Sequence, residues 1–338
     1  MGSQDADMTA QAIVLPACAC PVCGEASAEF WSEATWSLPF SPSLYRLADC
    51  PKCGSIFCTP RPIAEDLARF YKECYNYNWF EQHRLLKAIQ GWHRWKRVQA
   101  LLRRRGMKPG RILDVGCGHG LFLRWAKRSG WDAVGIDYPS SATRCAREQN
   151  GLRVIESDAI RAVEEQSAEL GQFDLITVWH CLEHASDPFS LVKHLRKILK
   201  PSGKLLIAVP NGSCEGMRIK KESWVWCQEP FVHTVHFTPK SLMNLLTTAD
   251  LSILSLSSRD TWDANRLFDL SAGRWIRGAV SLAHRLSGRL GFYLEEALRL
   301  GAYGVDGFKH WALGIESDPG SGAELLALSE RRADASGE

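Results

Sequence analysis

The residues with the most chemistry in this chain are its cysteines. Two segments share one pattern, Cys20-Pro-Val-Cys23-Gly24 and Cys50-Pro-Lys-Cys53-Gly54. Each places two thiolates on a tight turn, where the glycine lets backbone amides face the sulfurs. Two such turns meeting would supply four ligands around one zinc ion. The 26 residues between the pairs suit a ribbon of short strands. A single Cys-x-x-Cys would equally suit a redox pair or a filled core. The duplication points to Cys20, Cys23, Cys50 and Cys53 as Zn2+ ligands, with Cys18 and Cys58 near enough to substitute. Four protein ligands leave no open position, so this metal is expected to fold the module rather than to react.

A second constellation is Arg111-Ile-Leu-Asp114-Val-Gly116-Cys-Gly118-His-Gly120, which leads from an expected strand into an expected helix. Its glycines fall at positions one, three and five, whereas a dinucleotide fingerprint wants the sixth, here Leu121. Asp114 stands two residues before the first glycine, where a carboxylate would repel a pyrophosphate. It would attract the amino and sulfonium groups of S-adenosylmethionine (SAM). Asp137 ends the next strand, 21 residues after Gly116, at the position where a carboxylate bonds ribose hydroxyls. Asp158 follows the third strand and is placed to accept from the adenine amino group. Each aspartate alone reads as a polar turn residue; three in register point to one cofactor.

Groups able to take a proton cluster after the fourth strand, in Trp179-His180-Cys-Leu-Glu183-His184. That is the carboxyl end of a strand in an open α/β sheet, where ligands bind. His184 is the first candidate base and His233, in the later PFVHTVHFTP run, the second, with His236 behind it. Glu183 and His184 could instead cap a helix, and His233 could be a satisfied structural histidine.

The elements that must position these residues follow from the pattern of apolar runs. Strands are expected near Arg111–Val115, Ala133–Asp137, Arg153–Ser157, Phe173–Trp179, Lys204–Val209 and Ser252–Ser257, alternating with helical patterns such as Leu121–Ser129 and Pro188–Leu199. Such alternation reads as a parallel α/β sheet covered by helices. The domain plan is a ribbon module over 1–60, a helical linker or lid over 61–105 and a cofactor-binding core over 106–260. A helical insertion with a last strand (Trp311–Ile315) follows over 261–316, then a loose tail over 317–338 rich in Gly, Ser, Ala and charge.

DVGCGHG, GIDYP, ESDA, FDLITVWHCLEHASDP and LKPSGKLLIAVPN, in that order, resemble the class I SAM-dependent methyltransferases, in particular the branch related to the ubiquinone-biosynthesis O-methyltransferases. The zinc-ribbon start resembles a subset acting on natural products, sugars or cell-surface precursors. The resemblance implies a Rossmann-like seven-stranded sheet with helices on both faces, the last strand antiparallel. It assigns Asp114, Gly116 and Gly118 to the methionine part of SAM, Asp137 to the ribose, Asp158 to the adenine, and Trp179 to a position against the cofactor. In the quinone enzymes a Glu-x-x-Glu-His run is associated with a divalent metal. Here His180 stands in place of the first glutamate.

Composition excludes other classes. In 338 residues, 41 basic and 38 acidic side chains leave a net charge of +3, too little to argue for nucleic acid. The basic end of HRWKRVQALLRRR (His93 to Arg105) is expected to be a solvated helix terminus. Apolar runs such as Leu205–Pro210 fall far short of the ~20 residues a membrane span needs. The N-terminus carries acidic residues where a secretory signal carries basic ones, and the paired cysteines suit a reduced, cytoplasmic setting. The reading is a methyltransferase for an O, N or C atom of a small-molecule acceptor, with no membrane partner and the oligomeric state open. Its rivals are an RNA methyltransferase docking through the ribbon and a non-catalytic protein that kept the fold.

Overall fold

Two knuckles of the same shape come first among the described residues. In the first, Gly24 N–H donates to Cys20 O (2.9 Å); in the second, Gly54 N–H donates to Cys50 O (2.8 Å). Both glycines have φ near +72°, a conformation that a side chain disfavours. The structure, a computed structural model, describes residues 18–41, 43–73, 84–138, 140–224, 227, 230–259 and 324–332. The knuckles flank short strands β1 (Glu29–Phe30), β2 (Trp36–Ser37) and β3 (Leu44–Asp49), and β4 (Ile56–Thr59) follows the second. β3 pairs antiparallel with β1, β2 and β4, which is the ribbon expected from the spacing.

Two helices follow, α1 (Ala64–Glu73) and α2 (Arg84–Arg104). The core then alternates β5 (Arg111–Val115), α3 (Leu121–Arg128), β6 (Asp132–Asp137), α4 (Ser141–Glu148), β7 (Arg153–Glu156), α5 (Ala159–Leu170) and β8 (Phe173–Trp179). After a 3-10 turn over Leu182–His184 come α6 (Pro188–Lys197), β9 (Leu199–Pro210), α7 (Glu215–Lys220), β10 (Val235–His236), α8 (Pro239–Thr248), β11 (Leu251–Arg259) and β12 (Glu324–Arg331). Helix starts carry their signals. Ser140 and Thr238 close capping boxes before α4 and α8, and Asp187 caps α6 ahead of Pro188.

The large sheet runs β7-β6-β5-β8-β9-β12-β11. β5 to β9 are mutually parallel, and β12 lies antiparallel between β9 and β11. Neighbouring residues of each strand go to opposite faces. Leu113, Ile176 and Ile207 pack with Leu191, Leu195, Leu242 and Leu245 from α6 and α8. Ile112, Leu175 and Leu206 pack with Trp95, Phe122 and Trp131 on the other face. Helices therefore cover both faces, as expected. The order reverses at β5, whose neighbours β6 and β8 are reached by crossovers in opposite directions. A crevice forms there beyond the strands' carboxyl ends.

The last strand is a correction. The expected strand Trp311–Ile315 and the helical stretch 262–300 lie outside the described residues, and the antiparallel strand is Glu324–Arg331, inside the segment expected to be a loose tail. Leu325 pairs with Val209 and Leu328 with Leu206, while Ser258 and Ser255 oppose them from β11. The run Leu325-Leu-Ala-Leu328 is buried throughout, which suits a strand covered on both faces. β9 also begins earlier than expected, at Leu199, and carries Pro201 and Gly203 within it. Among the described residues no helix is long and apolar enough to cross a membrane.

Candidate active site

Gly116 leaves β5 with φ 74°, and its N–H donates to Ile136 O of β6 (2.9 Å). A side chain there would press its Cβ to 2.9 Å from Cys181 Cβ and 3.0 Å from its Sγ, so the loop and the segment after β8 touch because glycine permits it. Gly118 N–H donates to Asp137 Oδ2 (2.6 Å), and Tyr138 N–H donates to the other oxygen (2.7 Å). Asp137 is thus held at the end of β6, against the glycine loop. Asp158 is the N-cap of α5, with Oδ1 accepting from the Ile160 and Arg161 amides and Oδ2 from the Tyr138 hydroxyl (3.0 Å). Tyr138 is exposed and bridges the two aspartates, a link that the sequence reading did not include.

Asp114 is buried, and burial pushes its carboxyl up to about 7. A hydrogen bond from Thr177 Oγ1 (2.7 Å) and the charge of Arg94 oppose that rise, while the charge of Asp137 adds to it. Burial raises Asp137 as well, although the Gly118 and Tyr138 amides restrain it. The cleft thus gathers carboxylates that would gain from a cation. Trp179 is buried against Phe122 of α3 (ring centroids 5.7 Å), with the Arg94 guanidinium 5.2 Å above its ring. Among the described residues its buried indole Nε1–H has no hydrogen-bond partner.

The segment after β8 faces a different set of groups. His180 adopts φ 49°, costly for a residue with a side chain by roughly 1–2 kcal/mol. Its Nε2 lies 2.7 Å from Glu324 Oε1 of β12, and Arg97 approaches the other Glu324 oxygen at 3.6 Å. Glu324 is fully buried, and nothing in the sequence marked it. Burial disfavours the His180 imidazolium, yet Glu183 and Glu324 outweigh it and raise its affinity for a proton. The Glu-x-x-Glu-His set therefore does not form here: position 180 offers a ring already committed to β12.

Glu183 is 1% exposed, and His184 Nδ1–H donates to Val232 O (2.9 Å). The His184 and His233 rings stand 4.8 Å apart, and His236 lies 6.2 Å beyond His233, pushed down to about 4 by burial. Sequence reasoning placed His184 and His233 far apart in the chain, and the fold brings them together. What joins them is the ribbon. β10 pairs antiparallel with β4, Cys58 N–H donates to Thr234 O (2.9 Å), and Thr234 Oγ1 reaches Glu183 O (3.0 Å). Phe231 packs edge-on against Tyr45 of the ribbon and Phe70 of α1.

At the ribbon's core, Cys20 Sγ lies 3.6 Å from Cys53 Sγ and Cys23 Sγ 3.5 Å from Cys50 Sγ. Four sulfurs bonded tetrahedrally at ~2.3 Å would stand about 3.8 Å apart, so the cluster fits one zinc. Cys18 and Cys58 lie outside this group of four. Hydrogen bonds from Cys53 and Ser55 hold the Cys20 thiol below its usual range against the opposing effect of burial.

Residues 83–256, just over half of the chain, match the methyltransferase domain family. The chain belongs to that family. Among curated proteins, the chain is 29% identical over 150 residues to a ubiquinone biosynthesis O-methyltransferase of Acinetobacter baumannii (strain AYE), covering 44% of the chain and 62% of that relative. It is 33% identical over 109 residues to the protein of the same name from Acinetobacter baylyi, covering 31% and 46%. Each match spans less than two thirds of the relative. A solved SAM-dependent methyltransferase from Thermotoga maritima, described as a possible histamine N-methyltransferase, aligns with 78% of this chain and 98% of its own. That alignment has 17% identity and a TM-score of 0.49, a likeness on which nothing below depends.

One prediction follows from the glycine loop. Gly116→Ala combines a left-handed φ with the Cys181 collision, and it should weaken SAM binding by about 5- to 30-fold, for roughly 1–2 kcal/mol of strain alone. Replacing Cys181 by alanine in the same chain should restore little, because the Cβ at 2.9 Å remains. Calorimetric titration of both variants checks this. Wild-type affinity in Gly116→Ala would refute the role given to the loop.

Proposed function

We propose that the protein transfers the methyl group of SAM to an O, N or C atom of a small-molecule acceptor. The observation that carries this reading is the cofactor cleft. Asp114, Asp137 and Asp158 surround a glycine loop with φ values that favour glycine, and Asp114 and Asp137 are held there at a cost in burial that a cationic donor would relieve. Asp114, Gly116 and Gly118 would hold the methionine part, Asp137 the ribose and Asp158 with Tyr138 the adenine, with Trp179 alongside. Methyl transfer is an in-line displacement, so alignment of acceptor and sulfonium supplies much of the rate. Where the acceptor must lose a proton, His184 or His233 is placed to take it.

Cys20, Cys23, Cys50 and Cys53 would hold a structural Zn2+, and unoxidised thiolates presuppose a reducing compartment such as the cytoplasm. The ribbon spends the edge of β4 on β10, which favours a scaffold for the acceptor wall over a free RNA-docking module. The test is methyl-labelled SAM incubated with the protein and a lysate of its source, followed by separation of small molecules, RNA and protein. Label is expected in the small-molecule fraction. Label in RNA, or no binding of SAM at millimolar concentration, would overturn the reading.

A further inference from the structure

Glu324 is the first residue of β12, and its side chain joins a series of charges. Arg97 of α2 stands 3.6 Å from one carboxylate oxygen, and His180 Nε2 stands 2.7 Å from the other. Nδ1 of the same ring faces Glu183 Oε1 at 3.4 Å, and that oxygen in turn lies 4.0 Å from His184 Nε2. Signs alternate along Arg97, Glu324, His180 and Glu183, so the series balances when His180 carries a proton on each nitrogen. Geometry asks for the same, because a neutral ring would turn a lone pair toward one of the two carboxylates. Burial opposes that second proton, and the two carboxylates keep it.

Two observations say that this series does more than fill space. Glu324 is fully buried and Glu183 almost so, and buried ion pairs seldom repay the cost of leaving water, so stability alone is a poor reason for the arrangement. His180 also holds φ 49°, and strain of that kind persists where the surrounding contacts impose it. Its backbone N–H donates to Ala208 O of β9 (2.9 Å), so ring and backbone are fixed at one place. The next residue, Cys181, is the one that crowds Gly116, and the 3-10 turn after it carries Glu183 and His184.

We propose that Glu324 is a positioning residue for methyl transfer: through His180 it fixes the turn after β8 and directs the Glu183 carboxylate toward His184. The proposal rests on reading this cleft as the acceptor site, with His184 as one of its two base candidates. When an acceptor oxygen or nitrogen attacks the methyl carbon, the carbon–sulfur bond breaks to leave S-adenosylhomocysteine, and the acceptor gives up its proton. The Glu183 charge favours that proton on the His184 ring. A strand 144 positions from His180 in the chain thus takes part in the acceptor side of the cleft.

The test joins a spectroscopic arm to a rate arm, both on the full-length protein. Nitrogen-15 NMR of histidine-labelled protein near neutral pH, with His180 assigned by its loss in His180→Gln, should show both ring nitrogens of His180 protonated. In Glu324→Gln, whose amide still accepts a hydrogen bond but carries no charge, the second proton should be lost. Glu324→Asp should restore much of it. The initial rate of label transfer from methyl-labelled SAM to the small-molecule fraction of a source lysate should fall on the order of 10- to 100-fold in Glu324→Gln, a part of what a positioned base contributes. The KM for SAM and the affinity for S-adenosylhomocysteine, which reports an intact fold, should move by no more than a few-fold. Because Glu324 acts through His180, His180→Gln should lose as much rate, and the double variant little more. Glu330→Gln, which takes another carboxylate of β12 from its partner Lys204, should keep the wild-type rate and ring state. A neutral His180 ring in the wild type, a full rate in Glu324→Gln or His180→Gln, or an equal loss in Glu330→Gln overturns the proposal. If Glu324→Gln fails to bind S-adenosylhomocysteine, the rate of His180→Gln decides in its place. Absence of label with the wild type sinks the proposed function instead, and the ring state then decides by itself whether Glu324 governs His180.

Discussion

Removing the metal proposed for the ribbon should open the proposed acceptor wall while leaving the proposed cofactor cleft standing. In a Cys20→Ser, Cys50→Ser protein, backbone hydrogen exchange over residues 231–237 is expected to rise by orders of magnitude, whereas S-adenosylhomocysteine affinity changes by no more than a few-fold. The contrast follows from what each site leans on. The groups proposed to hold the cofactor hang on β5, β6, β7 and β8, whose sheet, among the described residues, shares no strand with the ribbon's. The segment from Phe231 to Phe237 hangs on the ribbon: β10 on β4, Thr234 O on the Cys58 amide, Phe231 on Tyr45. A structural zinc contributes on the order of 10 kcal/mol to the folding of a small module, and the one proposed here would tie together the two knuckles that hold the Cys20–Cys53 and Cys23–Cys50 sulfur pairs. Because Thr234 Oγ1 also reaches Glu183 O and Ala185 O, the loosening should spread into the turn that carries Glu183 and His184. Unchanged protection over 231–237 in the double variant would show that the ribbon merely adjoins the site.

That coupling shows where the sequence was legible and where it was not. β5 and β8 fall on their expected residues, because Arg111-Ile-Leu-Asp-Val115 and Phe173 to Trp179 are apolar runs bounded by loop signals. The glycine loop and its aspartates were legible for a related reason: local backbone geometry and charge select those residue types whatever the tertiary context. Glu324 was not legible. Its partner His180 lies 144 positions away, and the run Glu324 to Arg331 sits among Gly, Ser, Ala and charge that read as a tail. Only the pairing of β12 between β9 and β11 makes that run a strand. The meeting of His184 with His233 was equally hidden, since the β4–β10 pairing that sets it joins parts of the chain with no shared periodicity. Long-range pairing decided each missed feature, and a period of two or 3.6 carries no record of it.

The second large effect concerns Asp114, which should trade stability against cofactor binding. Asp114→Asn is expected to weaken SAM binding by about 1.5–3 kcal/mol, on the order of 10- to 100-fold, since it removes a charged partner from a dry cleft. The same change should stabilise the cofactor-free protein above pH 7. The sign follows from the raised carboxyl. Folded Asp114 titrates at about 7 instead of 3.8, so the fold keeps the proton longer than the unfolded chain does. Its contribution is fully present below the unfolded value and is lost as pH rises from about 4 through 7, a swing of at most about 4 kcal/mol. An asparagine carries no such loss and still accepts the Thr177 hydroxyl. SAM reverses the preference, because its sulfonium and amino groups favour the carboxylate. Wild-type affinity for SAM should therefore fall by up to tenfold per unit as pH drops below 7, where SAM keeps its own charges. Asp137, also raised by burial, would steepen that fall, while the Thr177 hydroxyl and the Arg94 charge already hold the Asp114 carboxyl down to about 7. Thermal unfolding of both proteins at pH 6 and 8, with and without SAM, reads the trade directly. A flat affinity between pH 6 and 8.5, or an Asn variant that binds SAM as tightly as wild type, would remove Asp114 from the cofactor's partners.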